Sequence, residues 1–213
     1  MTVAIIDYGM GNLRSVAKAF EQVGAKAVVV TDDLQQLRAA DRLVFPGQGA
    51  IGSCFSHIRE HRLVDELPSL LKSKPVLGIC LGLQALFDHS DEDGGVVGLG
   101  LIPGRVERFP ANMVDGGERA KVPQMGWNQV IQRDAHPLWQ SITDRAWFYF
   151  VHSYFATTSA RAHCSGACQY GDIEFAAAAA AENIFAVQFH PEKSHRDGLQ
   201  LLQNFLHWDG AGS

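Results

Sequence analysis

The sequence predicts an α/β protein with a doubly wound, mixed and mainly parallel sheet that makes an antiparallel β excursion after residue 100. Up to residue 88, apolar runs of strand length alternate with amphipathic helical segments, which is typical of a parallel sheet covered on both faces. Beyond it the segments are short and β-like, as in antiparallel hairpins. A chain of 213 residues, 46% of them apolar, is long enough for one sizeable domain, which we expect to span residues 1–210.

Three strand–helix units are predicted early in the chain. Asn12 is expected to cap the first helix, and Asp32 or Asp33 the second, because short polar side chains accept hydrogen bonds from free N–H groups at helix starts. A third helix is predicted over Ile58–Lys72, with Pro68 as a kink or break. The strands of these units are expected at 3–7, 27–31 and 42–46.

The stretch 74–84 carries the first candidate for chemistry. An apolar run ends in a turn where Gly78 and Gly82 flank Cys80. A nucleophile at the apex of a strand-to-helix turn sits in strained backbone and needs small neighbours so that substrate can approach. The helix predicted over Leu81–Asp88 presents its N-terminus to the sulfur and favours the thiolate. The alternative is that Cys80 is a small core residue.

A second strand ending in a turn, at 184–194, supplies partners for a thiol. His190 ends this strand, and Glu192 follows two residues later. A thiol nucleophile needs a base to take and return its proton, and the imidazole needs a third group to fix its tautomer. A lone histidine here would be an ordinary strand-end residue. Together, Cys80, His190 and Glu192 favour a catalytic triad.

The region after residue 88 is predicted to be β-rich until a final helix. The alanine run 176–181 favours a helix by propensity, but the turn residues on both sides indicate a strand in a hairpin series. Ser194 and Asp197 are expected to form a capping box at the start of the last helix. The other strands are predicted at 104–109, 120–122, 127–131, 146–151 and 163–170.

Five stretches carry a resemblance to a known family that covers nearly the whole chain. Residues 78–84 (GICLGLQ) and 189–194 (FHPEKS) resemble the class-I, triad-type glutamine amidotransferases. Three more resemble one subfamily, the glutaminase subunits of imidazole glycerol phosphate synthases in histidine biosynthesis: 7–12 (DYGMGN), 121–128 (KVPQMGWN) and 149–154 (YFVHSY). The resemblance implies a flavodoxin-like sheet and hydrolysis of L-glutamine through a Cys80 thioester, with no cofactor.

The loop 46–49 (PGQG) follows the third predicted strand. Its two glycines let backbone N–H groups turn toward a neighbouring site, as an oxyanion hole requires, although an ordinary turn would look the same. The resemblance makes Gly49 and Leu81 the oxyanion donors, with Gly49 reorienting when a partner signals. The family commonly has a small apolar residue where this chain has Gln48.

Substrate contacts are also implied by the resemblance. Gln84, one helical turn after Cys80, is expected to contact glutamine, and the backbone groups of Ser153 and Tyr154 to meet its carboxylate. From the residues alone, Ser153 and Tyr154 could equally end a strand in solvent.

The resemblance further implies a heterodimer. The partner would be a barrel cyclase subunit that receives the ammonia and makes imidazole glycerol phosphate and aminoimidazole carboxamide ribotide. Asn12, Trp127 and Asn128 are expected at the partner interface, around the ammonia passage. A tryptophan is often a core residue, but it is also enriched among interface anchors.

Charge and hydropathy exclude other functions. With a net charge of −5 and no basic cluster, the chain is not expected to bind nucleic acid. No apolar run approaches the roughly 20 residues of a membrane span, and the N-terminal stretch has no signal-peptide pattern, so a cytoplasmic protein is expected. Four cysteines, at 54, 80, 164 and 168, make no disulfide framework, and Cys164 and Cys168 are poorly spaced for zinc, so no metal is predicted.

Three rival functions stay open at this point. One is the glutaminase subunit of another class-I amidotransferase, such as an anthranilate or pyridoxal phosphate synthase. Another is a non-catalytic binding module in which Cys80 is a redox-sensitive thiol. The third is a stand-alone cysteine hydrolase, which would need no partner.

Overall fold

The computed structural model of the chain describes residues 1–9, 11–61, 63–115 and 117–211. Six α-helices are found in these ranges: α1 (Leu13–Gln22), α2 (Leu34–Ala39), α3 (Ile51–Glu60), α4 (Leu67–Leu71), α5 (Leu81–Ala85) and α6 (His195–His207). The strands are β1 (Thr2–Ile6), β2 (Ala27–Thr31), β3 (Arg42–Gly47), β4 (Val76–Cys80), β5 (Phe87–Ser90), β6 (Val96–Val97), β7 (Ile102–Arg108), β8 (Val114–Asp115), β9 (Glu118–Arg119), β10 (Gln124–Gln132), β11 (Ala146–His152), β12 (Tyr154–Thr158), β13 (Cys164–Tyr170), β14 (Ile173–Ala181) and β15 (Ile184–Val187).

Five strands form a parallel half of the sheet, in the order β2-β1-β3-β4-β15. Successive side chains of β1 point to opposite faces, as the strand geometry requires. Val3 and Ile5 pack in the core with α1 and α6 residues, whereas Ala4 and Ile6 pack in a second core with residues of α2 to α5. Helices therefore cover both faces, and the predicted doubly wound arrangement is confirmed.

An antiparallel half continues the same sheet from β15 through β14, β12 and β7. Strands β13, β10 and β11 branch from β14. The alanine run lies in β14 as predicted, and Ala177, Ala178 and Ala179 are fully buried between neighbouring strands. Tertiary packing thus outweighs the helical preference of alanine at this position.

Several predicted element boundaries were wrong. The single helix over 58–72 is two helices, because α3 begins at Ile51 and ends at Glu60, and Pro68 lies in the first turn of α4, where its missing N–H is harmless. The helix after Cys80 ends at Ala85, because the chain enters β5, which pairs with β7. Strands β5 and β12 were not predicted, and no strand forms at 120–122.

The predicted helix caps divide into two outcomes. The Asp33 side chain accepts a hydrogen bond from the Gln35 N–H at 2.8 Å, so this cap is confirmed. The side chains of Asn12 and Ser194 make no capping hydrogen bond, and those two predictions were wrong. Among the described helices, none combines the length and apolar character needed to cross a membrane.

Candidate active site

Cys80 lies at the junction of β4 and α5, where the backbone makes a sharp turn. Its φ is +55°, in the left-handed region that L-residues other than glycine seldom adopt. The glycines around it also have a packing reason, in addition to the predicted one of substrate access. A Cβ at Gly82 would collide with the carbonyl oxygen of Phe45 on β3, and one at Gly78 would press on Ala186 of β15. The turn that strains Cys80 is therefore fixed by close backbone packing.

His190 follows β15, the strand that pairs directly with β4. Its Nδ1 lies 2.8 Å from Oε1 of Glu192, and both side chains are buried. Because a carboxylate only accepts, Nδ1 carries a proton and donates it. Nε2 is buried and makes no hydrogen bond to any described residue. Burial opposes the charged imidazolium, but the Cys80 sulfur and the Glu192 carboxylate outweigh it and raise the pKa of His190 to about 10.

Ser194 holds the turn that carries His190. Its Oγ donates to the His190 carbonyl oxygen at 2.6 Å and accepts from the Tyr149 N–H at 3.0 Å. The His190 N–H in turn donates to the Tyr149 carbonyl at 2.9 Å. The Ser194 hydroxyl is thereby occupied, which explains why it does not cap α6.

A cavity of about 300 Å³ opens between the two halves of the sheet. This volume suits a ligand as small as an amino acid. Glu92, Pro123 and His152 line the cavity but were not singled out in the sequence. The predicted site residues that line it are Gly49, Cys80, Leu81, Gln84, Ser153, Tyr154 and His190.

Tyr8 joins the turn after β1 to the loop 46–49. Its buried hydroxyl donates to the Pro46 carbonyl oxygen at 2.7 Å, and burial raises the pKa of this phenol well above its usual value. Gly47 has no room for a side chain between the Tyr8 hydroxyl and Leu81. Gly49, two residues on, has a φ of +95° and borders the cavity. Tyr8 thus shapes the predicted oxyanion loop, although the sequence did not single it out.

Two glutamine side chains form a buried chain beside Cys80. Gln84 Nε2 donates to the Tyr154 carbonyl oxygen and to Gln188 Oε1, each at 2.9 Å. Gln188 Nε2 in turn lies 3.8 Å from the Cys80 sulfur. Gln188 was missed in the sequence, although a polar residue inside the apolar stretch 184–189 was a signal that could have revealed it.

Comparison with known proteins agrees with this geometry. The sequence profile described as glutamine amidotransferase class-I matches residues 4–208. The chain belongs to the class-I glutamine amidotransferases. It is also 54% identical over 209 residues to "Imidazole glycerol phosphate synthase subunit HisH" of Pseudomonas putida, covering 98% of each chain, and 53% identical to the protein of that name from Nitrosococcus oceani, covering 99% of each.

Solved structures support the fold of this amidotransferase. The structure of PurLQS from Thermotoga maritima matches with a TM-score of 0.71 at 18% identity, covering 97% of each chain. A putative GMP synthase protein from Thermoplasma acidophilum matches with a TM-score of 0.68 at 18% identity, covering 97% of this chain and 92% of its own. The fold and family resemblance predicted from the sequence are confirmed.

The predicted partner residues of the amidotransferase lie outside the cavity. Trp127 on β10 stacks on His195 at a centroid distance of 4.8 Å and meets Tyr149 edge-on at 6.1 Å. Large apolar side chains remain exposed here, with Met125 at 65%, Trp127 at 41% and Trp147 at 53%. We call these three side chains the aromatic face. Trp147 was not singled out in the sequence.

The structure does not bring Asn128 together with Trp127. Adjacent strand residues point to opposite faces, and Asn128 Nδ2 donates to the Gln169 carbonyl at 2.8 Å. Asn12 is exposed at the start of α1. The interface roles of Asn12, Trp127 and Asn128 remain predictions.

The remaining cysteines of the amidotransferase lie apart from the cavity. Burial raises the pKa of Cys54 and of Cys168 to about 12, which makes both thiols poor nucleophiles. Cys164 is half-buried, and no cysteine within the described ranges is disulfide-bonded. Nor do three candidate metal ligands meet anywhere in those ranges.

Proposed function

We propose that this chain is the glutaminase subunit of an imidazole glycerol phosphate synthase. It hydrolyses L-glutamine to glutamate and ammonia and passes the ammonia to a cyclase subunit that functions in histidine biosynthesis, in the cytoplasm. The observation that carries the proposal is the cavity of about 300 Å³ in which Cys80, His190 and Gln84 meet. The HisH relatives, at 54% identity over nearly the full chain, support the choice of partner.

The first step is acylation of Cys80. The thiolate attacks the side-chain amide carbon of glutamine, a C–S bond forms, and the carbonyl oxygen becomes an oxyanion. The N–H groups of Gly49 and Leu81 stabilise this charge. The imidazolium of His190, favoured by its raised pKa of about 10, then donates a proton to the amide nitrogen. The C–N bond breaks and ammonia leaves.

The second step is hydrolysis of the glutamyl thioester. His190 takes a proton from water, the resulting hydroxide attacks the thioester carbon, and the C–S bond breaks. The product carboxyl group loses its proton to solvent and leaves as glutamate, and the thiolate returns, paired with imidazolium. Glu192 keeps Nδ1 protonated through their 2.8 Å hydrogen bond, so that Nε2 is the nitrogen that exchanges protons.

Substrate recognition rests on groups that line the cavity. Both Nε2 protons of Gln84 are used by Tyr154 and Gln188, so its Oε1 is the atom left to accept a hydrogen bond from the substrate's ammonium. Backbone groups of Ser153 and Tyr154 bind the carboxylate. The Gln84 side chain would thus bind the substrate through oxygen only.

The deciding experiment measures glutamate release by the purified chain, first alone and then with a candidate cyclase and its ribonucleotide substrate. Strong stimulation by the pair is expected. Cys80→Ala serves as the blank, and Cys164→Ala, which removes a half-buried thiol outside this cavity, serves as the matched control.

Each other outcome points to a rival function. Full activity without a partner would indicate a free-standing hydrolase. Activity only with the synthase subunit of another amidotransferase would reassign the partner. If no condition gives glutamate release and a glutamine-mimicking electrophile does not label Cys80, the chain is a non-catalytic binding module.

A further inference from the structure

We propose that Gln188 is a further catalytic residue, whose side-chain amide donates a hydrogen bond to the Cys80 sulfur and stabilises its thiolate form. The inference rests on the proposed function only in taking Cys80 as the nucleophile. It adds to the triad a group that touches the reacting atom and exchanges no proton with it.

The position of Gln188 puts its amide next to the sulfur. The side chain is fully buried, and Nε2 lies 3.8 Å from Cys80 Sγ, within the range of a hydrogen bond to sulfur. Its backbone N–H donates to the Ala177 carbonyl at 2.8 Å, which anchors the end of β15 to β14. A buried polar side chain needs partners, and among the described residues the Gln188 side chain bonds Gln84 and the Cys80 sulfur.

The orientation of this amide follows from a backbone group. The Tyr154 carbonyl oxygen only accepts, so the Gln84 atom that faces it at 2.9 Å is the nitrogen. The second proton of that nitrogen points to Gln188, so the facing atom there is the oxygen, also at 2.9 Å. The other end of the Gln188 amide, which meets Cys80, must then be the NH₂ group.

A fixed donor at the sulfur distinguishes between its two protonation states. A thiolate accepts an N–H hydrogen bond strongly, whereas a neutral thiol is a weak acceptor. The interaction therefore favours the thiolate before attack on the amide. It acts again when the tetrahedral intermediate of hydrolysis collapses, the C–S bond breaks and the electron pair returns to sulfur.

The test is the pH profile of Cys80 alkylation by iodoacetamide in the full chain, followed by mass spectrometry of the Cys80 peptide. Gln188→Met removes the donor at similar length, and Gln188→Glu replaces it with a carboxylate oxygen. In both variants, the midpoint of the alkylation pH profile should move to higher pH. Below the midpoint, the rate should fall about three- to tenfold in Gln188→Met and further in Gln188→Glu.

The control is Gln200→Glu, which makes the same charge change in α6, where the side chain bonds Asn204 instead. Its profile should match that of the wild type. An unchanged midpoint in Gln188→Met would overturn the proposal, as would a shift of equal size in Gln200→Glu. A residue with only a structural role would lower the midpoint of urea unfolding and leave the alkylation profile in place.

Alkylation needs neither glutamine nor a partner, so it separates this proposal from the proposed function. A shifted midpoint in a chain without glutaminase activity would retain Gln188 as a thiolate donor and reject the glutaminase. If neither variant folds, ¹⁵N spectra of the wild type decide: one side-chain amide must titrate with the alkylation midpoint and lose that titration in Cys80→Ala. The lack of such a signal would overturn the proposal.

Discussion

The parallel and antiparallel halves of the sheet contribute differently to the site. In the parallel half, β3, β4 and β15 pack so closely that Gly78 and Gly82 admit no side chain, and the backbone itself sets the positions of Cys80 and His190. In the antiparallel half, β11, β12 and Ser153 between them supply one wall of the cavity, and the aromatic face on β10 and β11 stays exposed. We therefore expect chemistry and partner recognition to depend on separate parts of one sheet and to fail separately.

The largest effect is expected for Cys80→Ala in the parallel half. Removal of the sulfur should lower glutamine hydrolysis by at least about 10⁴-fold, because no acyl-enzyme can form. Ammonia-dependent synthesis by the complex should persist, since the cyclase subunit is unaltered. Steady-state rates with glutamine and with ammonium salts measure the two activities. Loss of the ammonia-dependent as well as the glutamine-dependent activity would make Cys80 a structural residue.

Gly82→Ala against Gly117→Ala compares the packed turn at Cys80 with an open turn in the separate two-stranded sheet of β8 and β9. A Cβ at Gly82 meets the Phe45 carbonyl, and we expect destabilisation of about 3 kcal/mol together with loss of activity. Gly117, between β8 and β9, has a φ of +89° but open space around it, so alanine should cost only about 1 kcal/mol. Urea unfolding gives both values, and equal losses would contradict the packing difference.

Trp127→Ala and Trp147→Ala test the aromatic face of the antiparallel half. Truncation of an interface anchor should weaken cyclase binding about 10- to 100-fold, while any hydrolysis by the isolated chain is unchanged. Val97→Ala, at another exposed apolar residue on β6, is the matched control. Titration calorimetry with the cyclase subunit measures the affinities, and wild-type binding by both tryptophan variants would move the interface elsewhere.

The smallest effect concerns His136, which lies where the halves meet and packs on Phe185 of β15 with a centroid distance of 4.5 Å. Burial lowers the pKa of His136 to about 4. The unfolded chain, with a histidine pKa of about 6.5, therefore binds a proton first as the pH falls, and stability is lost between about pH 6.5 and 4.

His136→Asn removes this titration and keeps an acceptor for the Leu138 N–H, whose hydrogen bond His136 Nδ1 now accepts at 3.2 Å. Between pH 7 and 5.5 the wild type should lose about 1 kcal/mol more than the variant. Urea unfolding at both pH values measures this difference. Equal losses of stability in the wild type and the variant would mean that His136 titrates normally in the folded state.

The sequence predicted the parallel half better than the antiparallel half, for a physical reason. Parallel strands appear here as continuous apolar runs ended by polar or turn residues, and the strands at 27–31 and 42–46 were located to within a residue. Strand β5 has only one apolar residue, Phe87, and β12 follows β11 after a single residue, so neither stood out as a separate apolar run. The break between α3 and α4 was also missed, because the apolar positions continue across it.

The residues of the candidate site also divide into those that the sequence revealed and those that it did not. Cys80, His190 and Glu192 were found because nucleophile, base and orienting acid sit in recognisable turns. Tyr8 and Gln188 were not, because their importance comes from hydrogen bonds to Pro46 and Cys80 that no spacing in the sequence reveals.

The strand order also has a consequence for the timing of activity during synthesis. Cys80 ends β4 and His190 follows the neighbouring strand β15, yet the entire antiparallel excursion separates them along the chain. Contacts between such distant segments form late in folding. A ribosome-bound chain therefore carries the thiol long before it has the proposed base. Hydrolysis of cellular glutamine by unfinished chains is avoided without any separate inhibitor.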